Sequence, residues 1–293
     1  MIGRVLKKHG GFYVVSAENE IFECKLSGKQ KHHQRDHIVA GDYVTFDVGE
    51  SNAQQQGYII SVQPRENFIP RPGIANVDQI LIVAAIKEPS YDFFLLDKLL
   101  ALARYYHIQP TLCFSKMDLA EPEDEQKVRA YYAHTETDLF FISQHTPLTE
   151  LVHYCQGKTT VLTGNSGVGK SSLINRLLGE ETQAVQNISM KLNRGKNTTR
   201  TSAFFSFGGG YIVDTPGFSA LDFPMEMTKT ELKELYPDYC RQASACRFNN
   251  CVHINEPKCE VKVCVDEGIY AQARYDNYKK LYQELEDRER MRK

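Results

Sequence analysis

Gly164-Asn165-Ser166-Gly167-Val168-Gly169-Lys170-Ser171 decides how this chain folds. It fits the phosphate-binding pattern G-x-x-x-x-G-K-[ST] at every position, and the context is the one that pattern needs. Residues 160–162 before it read as a strand, and residues 171–178 after it as an amphipathic helix. The glycines let backbone N–H groups converge on phosphate oxygens, and the helix N-terminus adds its positive end. Lys170 is expected to reach the β- and γ-phosphates, and the Ser171 hydroxyl to ligate Mg²⁺. The whole turn through Ser172 is a candidate nucleotide contact.

Downstream, Tyr211-Ile212-Val213 runs into Asp214-Thr215-Pro216-Gly217. An acid at the end of an apolar strand can hold Mg²⁺ through water, and Gly217 lets its N–H approach the γ-phosphate. Between the two motifs lies Arg194-Gly195-Lys196-Asn197-Thr198-Thr199-Arg200, polar and with little to anchor it. Such a stretch suits a switch loop ordered by γ-phosphate and Mg²⁺, with Thr198 or Thr199 lending a hydroxyl to the metal. An ordinary basic surface loop is the competing account. Lys170, Ser171, Thr198, Thr199, Asp214 and Gly217 form the catalytic set.

Upstream, Thr111-Leu112-Cys113-Phe114 ends in Ser115-Lys116-Met117-Asp118, similar to the Asn-Lys-x-Asp motif of GTPases with Ser in place of Asn. Asp118 would accept from guanine N1–H and the exocyclic amine, a pair of donors that adenine lacks. Lys116 would lay its stem along the base. Residues 139–142 lead to Ser143, where GTPases place a backbone contact to the guanine oxygen; a plain buried strand accounts for that run equally well. The base motifs thus precede the phosphate motifs, the reverse of the ordinary order. Moving the termini leaves the contacts of a compact sheet largely intact. Strand-like residues 79–85, 111–114, 139–142 and 160–162 alternate with helix-like residues 94–106, 124–133, 148–155 and 171–178. That alternation argues for a mostly parallel sheet covered on both faces. The fold class is multidomain α/β, with residues 74–223 a circularly permuted P-loop GTPase domain.

Two regions flank it. Residues 4–5, 12–15, 21–25, 43–46 and 58–62 are short strand-like runs, which suit an OB-like β-barrel over residues 1–68. Pro64, Pro70 and Pro72-Gly73 then read as a linker. Residues 224–293 are polar and helix-prone. Cys246, Cys251, His253 and Cys259 there make a Cys₃His set, the closed tetrahedral kind that holds one structural Zn²⁺. Cys240 and Cys264 flank it as substitutes. Residues 270–293 read as a helix with Ala271, Tyr275, Tyr278, Tyr282 and Leu285 on one side.

Composition excludes some classes of function. Thirty-five basic residues against 37 acidic leave a formal charge of −2, so any nucleic-acid contact must use local patches. One such patch is Lys25, Lys29, Lys31 and Arg35 against Asp36, although a solvated loop would look the same. No run approaches the ~18 apolar residues that span a bilayer. The opening residues lack a secretory apolar core, so a cytoplasmic location is expected. Thiols stay reduced there, and the eight cysteines read as thiols or ligands.

Together these motifs resemble the bacterial ribosome small-subunit-dependent GTPase A family (RsgA), over almost the whole chain. The resemblance implies a GTP hydrolase acting in late maturation of the small ribosomal subunit, stimulated by the subunit and touching its ribosomal RNA. It implies GTP/GDP and Mg²⁺ as cofactors, a monomer, and no membrane. The family carries His where this chain has Asn197, and Phe218 stands where many GTPases place a water-orienting Gln. Slow intrinsic hydrolysis is therefore expected. The competing function is a nucleotide-gated RNA-binding chaperone whose hydrolysis the subunit does not trigger.

Overall fold

A computed structural model of the protein describes residues 1–27, 38–49, 55–180, 202–215 and 222–292. Thr198, Thr199, Gly217, Asn197, Phe218 and most of the basic patch after Lys25 lie outside the described residues.

Five strands, β1 (Ile2–His9), β2 (Phe12–Ala17), β3 (Glu20–Leu26), β4 (Tyr43–Val48) and β5 (Gln56–Val62), close into a barrel in the order β1-β2-β3-β5-β4. The β3–β5 pair is parallel and the other pairs are antiparallel. Strand β2 buries alternate residues, Tyr13, Val15 and Ala17, as a two-residue side-chain period requires. They meet Phe22, Phe46 and Ile59 in the barrel core, where the rings of Phe22 and Phe46 lie 5.2 Å apart. Burying each such large side chain contributes roughly 1.5–3 kcal/mol.

The expected linker is ordered instead. Strands β6 (Phe68–Pro70) and β7 (Gly73–Ala75) pair antiparallel, and side-chain amides tie the hairpin down. Asn67 donates to Val77 O and accepts from Val77 N (2.8 and 2.9 Å); Asn76 donates to Gly41 O (3.0 Å). Prolines made this segment read as a linker, because a sequence pattern does not show amides standing in for ladder bonds.

The described chain divides into two compact units. One holds Met1–Ile80, Leu148–Thr163 and Ser171–Phe218; the other holds Leu81–Pro147, Gly164–Lys170 and Ser219–Lys293. The first contains the barrel, the hairpin, α3 (Thr149–Cys155), β11 (Thr159–Thr163), most of α4 (Lys170–Glu180), β12 (Ala203–Phe207) and β13 (Gly210–Asp214). Strand β13 pairs parallel with β11 and antiparallel with β12. Within this unit Arg4 of β1 is buried. Its guanidinium donates to Thr159 Oγ1 and Asn76 O, both at 2.5 Å, and faces the rings of Tyr43, Phe204 and Tyr211.

The second unit contains most of β8 (Gln79–Ala85), then α1 (Phe93–Tyr105), β9 (Gln109–Ser115), α2 (Pro122–Tyr132) and β10 (Asp138–Phe141). Every residue of β8 is buried, the mark of a strand covered on both faces. The side chain of Asp92 accepts from Phe94 N at 2.9 Å and so caps α1. After Asp222 come α5 (Pro237–Gln242), α6 (Glu260–Asp266) and α7 (Gln272–Met291). Helix α7 buries Tyr275, Tyr278, Leu281 and Leu285 together with Arg274 and Asn277. The expected stripe is thus rotated, with Leu281 inside and Tyr282 half exposed. Polar partners cause this rotation. Asp97 of α1 accepts from Tyr131 Oη (2.5 Å) and Asn277 Nδ2 (3.0 Å), and Arg274 pairs with Asp238 4.0 Å from Asp97.

Candidate nucleotide site and metal centre

Strand β11 delivers the chain to Gly164, whose φ of +147° only glycine adopts comfortably. A Cβ there would stand 2.1 Å from Val83 O, so any side chain would push β8 and the turn apart. Gly167 and Gly169 also have positive φ, +81° and +92°. Val168 between them is buried and anchors the loop. Asn165, Ser166, Ser171 and Ser172 are exposed. Lys170 Nζ lies 2.6 Å from Gly164 O and 2.7 Å from Asn165 O, at the mouth of the turn. The helix that Lys170 opens runs for 11 residues, long enough to present a positive N-terminal end.

Asp214 ends β13 opposite Leu162, two residues before Gly164 in the parallel register. Thr215 Oγ1 donates to Leu162 O at 3.1 Å and fixes that strand end.

The base motif lies at the end of β9. Ser115 is buried and donates to Val168 O at 2.6 Å, with Ala84 O at 3.3 Å. Its hydroxyl thus serves the phosphate turn. Lys116 adopts the left-handed region (φ +59°), and its Nζ donates to Glu88 O. Asp118 follows in a short 3₁₀ turn (Met117–Leu119) and is exposed, open to a ligand. Met117 N donates to Ile142 O at 3.1 Å, and Ile142 N to Phe114 O at 2.8 Å, which brings the Ser143 strand end beside Asp118. Ser143 itself closes its own turn: its N–H reaches Thr146 Oγ1 at 3.0 Å, and its Oγ accepts from Thr146 N at 3.1 Å.

Cys246, Cys251, His253 and Cys259 are all buried, with ligand atoms within 4.8 Å of one another. Cys246 Sγ lies 3.7 Å from His253 Nδ1 and 4.0 Å from Cys259 Sγ, and His253 Nδ1 lies 3.3 Å from Cys259 Sγ. A tetrahedral ion with bonds of ~2.3 Å to sulfur and ~2.0 Å to nitrogen needs donors about 3.5–3.8 Å apart. The set fits zinc. Burial pushes the Cys251 thiol up to about 12 and raises Cys259, so a buried thiolate group needs a cation at its centre. Burial also lowers His253, which keeps its ring in the neutral ligating form. Cys240 and Cys264 stand outside the group. Helix α7 supports the loop, with Tyr275 Oη donating to His253 O (2.7 Å) and Tyr278 Oη to Val252 O (2.8 Å).

The chain is similar to known proteins over nearly its whole length. Residues 2–59 match the family described as RsgA N-terminal domain, and residues 62–224 match RsgA GTPase. "Small ribosomal subunit biogenesis GTPase RsgA" of Bacillus subtilis (strain 168) is 38% identical over 296 residues, covering 98% of each chain. The protein of that name from Geobacillus sp. (strain WCH70) is 37% identical, again over 98% of each. Among solved structures, YloQ, titled a circularly permuted GTPase, superposes with TM-score 0.81 at 33% identity, covering 98% of this chain and 95% of its own. YjeQ from Thermotoga maritima gives 0.80 at 33%, covering 97% and 98%.

Proposed function

The chain belongs to the RsgA family of circularly permuted GTPases, and from that membership we propose that it hydrolyses GTP to GDP and phosphate during maturation of the small ribosomal subunit. One observation carries the site: Ser115 Oγ meets Val168 O at 2.6 Å across 53 positions of sequence. The base-reading strand end and the phosphate turn are bonded to one another although their order in the chain is reversed.

In this reading Asp118 accepts from guanine, with Lys116 along the base and Met117 and Ser143 at its edge. The backbone of residues 164–169 and the Lys170 ammonium hold the phosphates, with Ser172 beside them. Bound Mg²⁺ supplies charge neutralisation on the β- and γ-oxygens. Ser171 and Thr198 or Thr199 would ligate it directly, and Asp214 through water. Gly217 N–H would face the γ-phosphate. Cys246, Cys251, His253 and Cys259 would hold one structural Zn²⁺. Residues 1–68 act as an RNA- or ribosome-binding barrel, residues 74–223 as the GTPase domain and residues 224–293 as the zinc domain. The protein works as a cytoplasmic monomer against the subunit's ribosomal RNA. The relatives' names support the subunit assignment, and no helix among the described residues is long and apolar enough to cross a membrane.

The test is GTP turnover by the purified protein, alone and with small ribosomal subunits, with Lys170→Ala as control. Strong stimulation that vanishes in the variant is expected. Equal slow rates with and without subunits would sink the subunit assignment and favour the chaperone reading.

A further inference from the structure

A groove of about 540 Å³ lies between the loop of the zinc centre and helix α7. The loop lines it with Phe248, Asn250 and Asn255, and the helix with Lys279, Tyr282 and Gln283. All of it belongs to the second compact unit. Sites for small ligands have volumes of about 300–1,000 Å³, so the groove is large enough to hold one. Each element contributes one aromatic ring. Tyr282 is half exposed, and Phe248 is 38% exposed. The local chain explains the exposure of Phe248. Arg247 N donates to Lys258 O (3.2 Å) and Cys251 N to Phe248 O (3.1 Å). The turn between Cys246 and Cys251 is thus closed through its backbone, and its fold does not need the ring at 248.

The polar groups of the groove are of three kinds. Its carboxylates are already engaged. Glu256 accepts from Val252 N (2.7 Å) and Ile254 N (3.0 Å), and Glu286 pairs with Lys229 (2.5 Å) and Arg290 (2.8 Å). A basic peptide would therefore find its natural partners taken. The amides of Asn250 and Asn255 are exposed, and each offers donors and an acceptor. An apolar side chain seated over them would strip their water and return no hydrogen bond, a net cost. Two cations stand beside the rings. The Arg247 guanidinium lies 5.5 Å from the Phe248 ring centroid. Lys279 is held only by an exposed pair with Asp276 (2.8 Å), which a phosphate can replace at little cost.

We infer that this groove takes one unpaired base of a single-stranded RNA segment, held against Phe248 and Tyr282, with the Asn250 and Asn255 amides at its edge and Arg247 and Lys279 for the flanking phosphates. A base is flat, uncharged and rimmed with donors and acceptors. Proteins that hold unpaired RNA stack its bases on aromatic rings and hydrogen-bond their edges. Two rings, two exposed amides and two cations match that ligand, whereas a basic or wholly apolar peptide would waste one or another of them. The inference rests on the proposed role against ribosomal RNA. It adds a base-holding site in the C-terminal region to the contact proposed for the barrel.

The chain has no tryptophan, so Phe248→Trp places a single fluorescent reporter in the groove. The experiment titrates this variant, full-length, zinc-loaded and with GDP bound, with a short oligouridylate and with an abasic strand of the same length. Quenching by the oligouridylate and none by the abasic strand is expected. Adding Tyr282→Ala should weaken the quenching Kd at least about fivefold at an unchanged melting temperature, since one stacked base depends on that ring. The unaltered protein is tested in parallel by photocrosslinking to an oligomer carrying 4-thiouridine. Crosslinks are expected within residues 248–257 or 279–286, and this arm stands even where a variant folds badly. Absence of both quenching and crosslinks there overturns the inference, whether or not RNA binds elsewhere on the chain. Equal quenching by the abasic strand also overturns it, because the groove would then follow phosphate alone. Quenching by a lysine-rich peptide in place of RNA would make the groove a protein-docking site instead. Failure of the subunit reading shows separately, as turnover that subunits do not stimulate, while the quench and the crosslink decide the groove.

Discussion

A serine hydroxyl has one proton to donate, and Ser115 aims it at Val168 O (2.6 Å), with Ala84 O more distant (3.3 Å). Ser115 stands in the run that resembles the base-reading motif of GTPases, and its hydroxyl also braces β9 against the phosphate turn. Ser115→Ala removes a buried bond of about 0.5–1.5 kcal/mol and leaves a carbonyl unpaired, so nucleotide affinity should fall roughly threefold to tenfold. Because the brace does not touch the base, GDP and IDP should weaken by the same factor, as titration of both nucleotides would reveal. A change in the GDP/IDP ratio would instead put Ser115 on the guanine. Asp118→Ala should do what Ser115→Ala does not, and erase the preference for GDP over IDP, which lacks the exocyclic amine that Asp118 is proposed to read. Gly164 was legible from the motif, but its reason was not. The contact is with Val83 O, which no spacing rule names.

At the scale of elements, the polar core between α1, α2, α5 and α7 decides the pH response. Burial lifts Asp97 from 3.8 to about 6, while Arg274, Tyr131 and Asn277 oppose the rise. The folded chain therefore holds a proton that the unfolded chain has already released. Stability from this group is full below pH 3.8 and is lost as pH climbs through about 6. Asp97→Asn keeps the neutral state at every pH, so relative to wild type it should gain up to ~3 kcal/mol between about pH 4 and pH 7. Denaturant unfolding at both ends of that window reads the difference; a pH-independent difference would show that Asp97 titrates normally. Arg274→Met is the harsher change. It leaves Asp97 and Asp238 buried without their shared cation and should cost about 3–5 kcal/mol. Periodicity revealed α7 as a helix, because Tyr275, Tyr278 and Leu285 recur at helical spacing. It could not reveal that Arg274 and Asn277 face inward, since a charged side chain is buried only where partners on other elements meet it. Strand β12 went unread for a related reason: β13 alone reveals that Phe204 and Phe205 belong to a ladder.

For the whole molecule, the order of the motifs was legible because each is a local signature whose chemistry needs its residues consecutive. The Cys₃His set was legible for the same reason, and the coordinates gather the same four residues and leave Cys240 and Cys264 outside them. Zinc also tests how far the C-terminal region depends on one centre. Helix α7 is tied to the zinc loop through Tyr275 and Tyr278, and to α1 through Asn277 and the Lys98–Glu284 pair. Removing the ion leaves Cys246, Cys251 and Cys259 as buried thiols around a neutral His253, with the Tyr275 and Tyr278 hydroxyls left to hold the loop under α7. Structural zinc contributes its binding free energy directly to folding. In a protein of this size, where 1 kcal/mol moves Tm by roughly 2–4 °C, its removal should lower Tm by more than about 5 °C. Phenanthroline with excess Mg²⁺ separates this ion from the Mg²⁺ proposed for the nucleotide, and added Zn²⁺ should restore the transition. GDP affinity should survive the treatment, because Gly164–Lys170, Ser115 and Asp118 lie on other elements. An unchanged Tm in metal-free protein would mean that the four ligands hold their loop without zinc, and a lost GDP affinity would tie the nucleotide site itself to the metal.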